Sequence, residues 1–147
     1  MKTTRDSYSL GYATLAEGTN ANTFKTTTAC AYVINGQSYI KAATDNLAFS
    51  TGTAQAVLTQ AAYFVFVDTA GTVTTVQSSI QPISSVAGYV AGAWEIPHVA
   101  DKACIGAIKV TLASAATFTP GSTDLSATNV TGTYFNFGDS YGTPITY

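Results

Sequence analysis

"AYVINGQSYIKAA", Ala31 to Ala43, is the stretch whose reading decides the fold class. Asn35-Gly36 stands between two runs of β-branched and aromatic residues. Both central residues of a type I′ turn need positive φ, which Asn and Gly tolerate, so the stretch predicts a two-residue hairpin. Counting outward from the turn sets Ile34 opposite Gln37, Val33 opposite Ser38, and Tyr32 opposite Tyr39. The last is a cross-strand aromatic pair, a stabilising contact on one face of an antiparallel sheet.

The same grammar recurs along the chain. In "AAYFVFVDTAGTVTTVQ", Tyr63 to Val67 reads as a dense strand, Asp68 to Gly71 as a turn, and Thr72 to Gln77 as the returning strand. "KACIGAIKVTL" and "NVTGTYFNF" read as two more strands, joined through a loop set by Pro120 and Gly121. Between the second and third groups, Ser78 to Lys102 carries Pro82 and Pro97, which exclude regular central strands and suggest an ordered excursion over the sheet. "GTAQAVLTQAA" suits either a short helix or an extension of the strand that follows. Because a lone hairpin is unstable, these strands must share one core. The expectation is a single all-β domain, an antiparallel β-sandwich or small barrel.

Three segments follow: an N-terminal arm at 1–22, the β domain at 23–138, and a C-terminal tail at 139–147. The arm has only isolated Tyr8, Leu10, Tyr12 and Leu15 with little periodic support, and is read as a segment that orders on a partner.

Composition narrows the function. Only 10% of the 147 residues are charged, against roughly 25% in an ordinary globular protein. Yet 46% are hydrophobic, so the surface is built from Thr, Ser, Asn, Gln, Gly and Ala. Such a surface either faces partners or belongs to a secreted protein. A net charge of −2 with scattered basic residues argues against nucleic acid as a partner. The start, "MKTTRDSYSLGYATLAEG", lacks the apolar core of a signal peptide, and no apolar run approaches the roughly 20 residues that span a bilayer. The expectation is a chain made in a cytoplasm, with no membrane partner.

Chemistry is sparse. His98 is the single histidine, near Glu95 and Asp101, whereas a zinc site needs three or four ligands. Gly-x-Ser-x-Gly elbows, phosphate loops and Cys-His pairs are missing from the sequence. Asp45, Asp68, Asp101, Asp124 and Asp139 sit beside turn residues, where a carboxylate accepts backbone N–H bonds, and their spacing is not that of a calcium loop. Cys30 and Cys104 lie inside strand-like runs and read as small buried hydrophobes, with a disulfide as the alternative. The Asn129-Val130-Thr131 sequon is a coincidence of Thr-rich sequence where no signal peptide precedes it. Trp94 and the nine tyrosines read as core or subunit contacts ahead of a sugar platform. No catalytic residue, cofactor or metal is expected.

Four motifs taken together resemble small virion structural proteins of tailed bacteriophages, of the capsid-decoration or head-fibre type. They are Y-x-I-N-G-x-x-Y-x-K-A-A-T-D-N (Tyr32 to Asn46), V-D-x-x-G-T-V (Val67 to Val73), C-I-G-x-I-K-V (Cys104 to Val110), and the closing element from Thr117 to Tyr134. "EIPHVADK" resembles the Pro-containing approach to the third. The resemblance covers most of residues 24–137 and departs at both ends. It implies a non-enzymatic virion component more firmly than a place within the virion; the first expectation is a capsid-surface subunit that self-associates as a homotrimer and binds the major capsid protein or other virion proteins. The alternative is a tail-fibre or receptor-binding module contacting host glycan or protein. A secreted carbohydrate-binding or hydrolytic domain is disfavoured by the missing leader and catalytic pair.

Overall fold

The computed structural model describes residues 7–83 and 94–138. All regular elements in them are strands: β1 (Tyr8–Ser9), β2 (Leu15–Glu17), β3 (Phe24–Thr26), β4 (Cys30–Ile34), β5 (Gln37–Lys41), β6 (Thr44–Leu47), β7 (Thr59–Asp68), β8 (Val73–Gln77), β9 (Gln81–Pro82), β10 (Lys102–Leu112) and β11 (Val130–Asn136). Every pairing is antiparallel. Three sheets result, ordered β1-β4-β5, β2-β3-β6 and β11-β10-β7-β8, with β9 beside the start of β7.

The β4–β5 hairpin has the expected register, Ile34 with Gln37, Val33 with Ser38 and Tyr32 with Tyr39. Asn35 and Gly36 sit at φ 51° and 81°, the left-handed pair that a type I′ turn requires. The Tyr32 and Tyr39 rings stack with centroids 5.6 Å apart. In the β7–β8 hairpin, Asp68 Oδ1 accepts from the N–H groups of Ala70 and Thr72, both at 2.9 Å, and Gly71 takes φ 80°. A short acceptor side chain and a glycine thus close that turn.

β7 and β10 form the centre. Tyr63, Val65 and Val67 point to one face, where they join Ile105, Ile108, Val110, Leu112, Phe118 and the inner residues of both smaller sheets. Phe64 and Phe66 point to the opposite face and pack with Ala107 and Trp94, against Ile96 and Val99. A sheet covered on both faces reads as a continuous apolar run, which explains "AAYFVFV". β10 keeps its large residues on the first face only through a bulge. Cys104 pairs with Phe66 and Gly106 with Val65, so Ile105 is the extra residue. That single insertion reverses the side-chain parity, letting Ile105 and Ile108 share a face although they are three apart. Gly106 follows the bulge where a Cβ would stand 2.5 Å from the Phe135 carbonyl and 2.6 Å from Leu15 Cδ1.

The N-terminal segment differs from the expected arm. Tyr8 and Ser9 pair with Val33 and Tyr32, and Leu15 to Glu17 pair with Thr26 to Phe24. Ala13 and Leu15 are buried in the shared core, and the Leu15 N–H donates to Asn136 Oδ1 at 2.7 Å. These strands are two and three residues long, too short to print a periodic pattern in sequence. Residues 8–17 are therefore part of the β domain, while the start of the arm (1–6) and the tail 139–147 lie outside the described residues.

"GTAQAVLTQAA" contains no helix. Gln55 bridges Phe118 through N–H···O bonds of 2.8 and 3.1 Å, and β7 begins at Thr59. Pro82 is the second residue of the short β9, and Pro97 lies outside any strand. Among the described residues the sheets do not close into a barrel.

Candidate functional site

The polar side chains with unusual surroundings are mostly structural. Tyr63 OH accepts from Gln55 Nε2 at 2.8 Å and Gln77 Nε2 at 3.1 Å beneath the first face of the sheet. Burial pushes its hydroxyl up to about 12. Burial likewise pushes Tyr134 up to about 12, with Glu17 adding to the effect. Cys30 and Cys104 are both free thiols, so the disulfide alternative does not hold. Cys30 lies under Ser9 Oγ at 3.3 Å, and burial raises its pKa. Cys104, on the opposite face, is pushed by burial up to about 12. A thiol so raised is a poor nucleophile at neutral pH.

His98 is exposed in the chain between Trp94 and β10. Asp101 is exposed too, and its carboxylate accepts from Asn35 Nδ2 at 2.6 Å, tying that segment to the β4–β5 turn. Asp45 holds another crossing: it accepts from the Thr19 N–H and hydroxyl, which keeps its carboxyl below the usual range. Among the described residues, no three His, Cys, Asp or Glu side chains are grouped to hold a metal ion.

A cleft of about 360 Å³ opens between β8 and Trp94, lined by Phe64, Val76, Ser79, Gln81, Glu95 and Pro97 among others. Trp94 is only 4% exposed there, and its Nε1 donates to the Ser79 carbonyl at 3.1 Å. It belongs to the buried cluster of Ala62, Phe64, Phe66 and Ala107, so it serves the core on this face.

The residues singled out by sequence separate into three groups. Leu15 is core and Tyr8 is half-buried on β1, whereas Leu10 and Tyr12 face water at 38% and 61% exposure. Asn35 and Gly36 form their turn as described. Pro120 and Gly121 sit in a loop closed by N–H bonds from Ser122 and Thr123 to the Thr119 carbonyl, with Gly121 at φ 78°. Gly121 also presents its carbonyl to Asn22 Nδ2 at 2.9 Å, joining this loop to the N-terminal segment.

The sequence reading missed Ile40, which is 77% exposed, along with Val57 and Leu58. The signal for Ile40 was present. With Tyr32 and Tyr39 facing inward, alternation directs Ile40 outward from β5. β5 is also the last strand of its sheet. Among the described residues, Leu10, Tyr12, Ile40, Val57 and Leu58 are the large apolar side chains exposed on an otherwise mainly polar surface. No family model, curated protein or solved structure matches the chain.

Proposed function

We propose that the chain is a non-enzymatic structural protein of a tailed-bacteriophage virion, a capsid-surface decoration or head-fibre subunit. It self-associates, as a homotrimer, and attaches to the shell through the major capsid protein or other virion proteins. Residues of both three-stranded sheets share one core with the central sheet, which supports reading the domain as a sandwich built to present such contacts. The observation that carries the reading is Ile40, a large β-branched residue held in water on the end strand of a sheet. Unprotected strand edges invite addition of another chain, and a protein built to assemble has a use for one. Low charge and a Thr-rich surface support the same reading, since identical subunits pack closely only where like charges are few.

Imaging of intact particles bearing the labelled chain tests this. Many copies distributed over the shell are expected. A few copies confined to the tail would sink the capsid reading and favour receptor binding.

A further inference from the structure

We propose that β5 is a self-association edge, and that two copies of the chain add to one another antiparallel through it with Ile40 facing Ile40. This rests on the self-association in the reading above and adds to it a two-fold contact, separate from the one that would close a trimer.

The two-residue turn makes Ile34 and Gln37 a pair that exchanges both backbone bonds, and Tyr32/Tyr39 and Cys30/Lys41 repeat that pattern. Ser38 and Ile40 occupy the alternate positions, so their N–H and C=O groups point away from β4. Ala31, opposite Ile40, displays the same phase on the far side. Its carbonyl turns away from β5 and accepts from Leu10 and Gly11 at 2.8 and 3.1 Å. Ala31 thus has a neighbour, whereas the outward groups of Ser38 and Ile40 have no partner among the described residues.

Soluble proteins blunt such an edge with a bulge, a proline or a free charge. β5 has an unbroken register and no proline. Its one charge, Lys41, is held to Thr44 Oγ1 at 2.6 Å. Antiparallel addition requires outward-bonding residues to meet. Centring on Ile40 does so: Ile40 meets Ile40, Ser38 meets Ala42, and Tyr39 meets Lys41 of the second copy. The strand's only charge then lies across from an aromatic ring and not from its own like. Registers that set Ile40 against Ser38 or Gly36 leave the isoleucine without an apolar partner. Leu10, 38% exposed, bonds to Ala31 from the far side of β4, two strands away from Ile40. The contact is isologous, so it yields even-numbered assemblies: a dimer, or two trimers joined.

The full chain with Ile40→Cys or Ser38→Cys tests the register under mild oxidation. Facing Cα atoms of a bonded pair stand about 5.5 Å apart, within disulfide range. Ile40→Cys is expected to give a covalent dimer, and Ser38→Cys to remain largely uncrosslinked. By sedimentation, the unmodified chain should form even-numbered species as concentration rises. Ile40→Lys and Ser38→Pro should each raise the dissociation constant about tenfold or more with an unchanged melting temperature. A solely monomeric or trimeric chain, or equal crosslinking of the two cysteine variants, overturns the proposal. A chain that decorates particles while edge variants behave as wild type refutes this contact alone. One that pairs through Ile40 yet never attaches to particles refutes the virion reading alone.

Discussion

Gly106→Ala is the perturbation whose cost the geometry states most directly. An added Cβ would stand 2.5 Å from the Phe135 carbonyl oxygen and 2.6 Å from Leu15 Cδ1. The leucine can turn aside, but the carbonyl belongs to β11, paired with β10 along seven residues. Relief requires β11 to move outward by several tenths of an ångström, which strains neighbouring ladder bonds. Forcing a methyl into a filled site costs about 1–3 kcal/mol. Replacing a strand glycine by alanine otherwise gains roughly 0.5–1 kcal/mol, so the net loss centres on about 1 kcal/mol and reaches at most about 2.5 kcal/mol. For a domain of this size that lowers the melting temperature by about 2–8 °C. Gly132→Ala is the control, because its nearest neighbour, Tyr134 Oη, lies at an ordinary 3.4 Å. Thermal and urea unfolding followed by circular dichroism measure both. A Gly106→Ala protein as stable as wild type would refute the bulge geometry and the packing of Leu15 on it.

Other outcomes follow from the same packing. Leu15→Ala should cost about 2–5 kcal/mol, the range for a buried leucine, whereas Leu10→Ala should change stability little; equal effects would return residues 8–17 to an external arm. Tyr63, Tyr134 and Cys104 are each pushed by burial up to about 12, from ordinary values of 10, 10 and 9. Because the folded values are raised, their contribution is fully present below about pH 9 and is lost as pH climbs through 12. Unfolding free energy should stay flat from neutrality to pH 9 and fall steeply beyond, and a decline beginning below pH 8 would contradict that burial. Native protein should react with a thiol reagent slowly at both cysteines and rapidly in denaturant, and reducing agent should leave its melting temperature unchanged. A disulfide would instead cost about 2–4 kcal/mol on reduction.

Much of the fold was legible because two hairpins carry their own turn chemistry. Asn35-Gly36 determines φ locally, so the β4–β5 register followed by counting; Asp68 to Gly71 marked the place of the second turn, while the pairing of Val67 with Val73 was not read in advance. β10 was legible as a strand but not as a bulged one, although the clue was there. Ile105 and Ile108 cannot share a face in a regular strand, and a glycine stands between them. β1, β2, β3 and β6 were not legible. They span two to four residues, and their partners are chosen by burial and by distant bonds such as Leu15 to Asn136 and Thr19 to Asp45. Thr14 at φ 47° and Leu58 at φ 58° add to this, since neither residue advertises a left-handed backbone. Ile40 could be read from alternation alone. What sequence could not supply was that β5 ends its sheet, a property of topology.

Amide hydrogen exchange on the chain, free in dilute solution and bound to particles, bears most directly on where function resides. The Ser38 and Ile40 amides should exchange freely in the isolated chain and become protected on assembly, with little change along the cleft from Gln77 to Gln81. Protection appearing at the cleft while Ser38 and Ile40 stay open would contradict an account in which the exposed strand edge is the working surface.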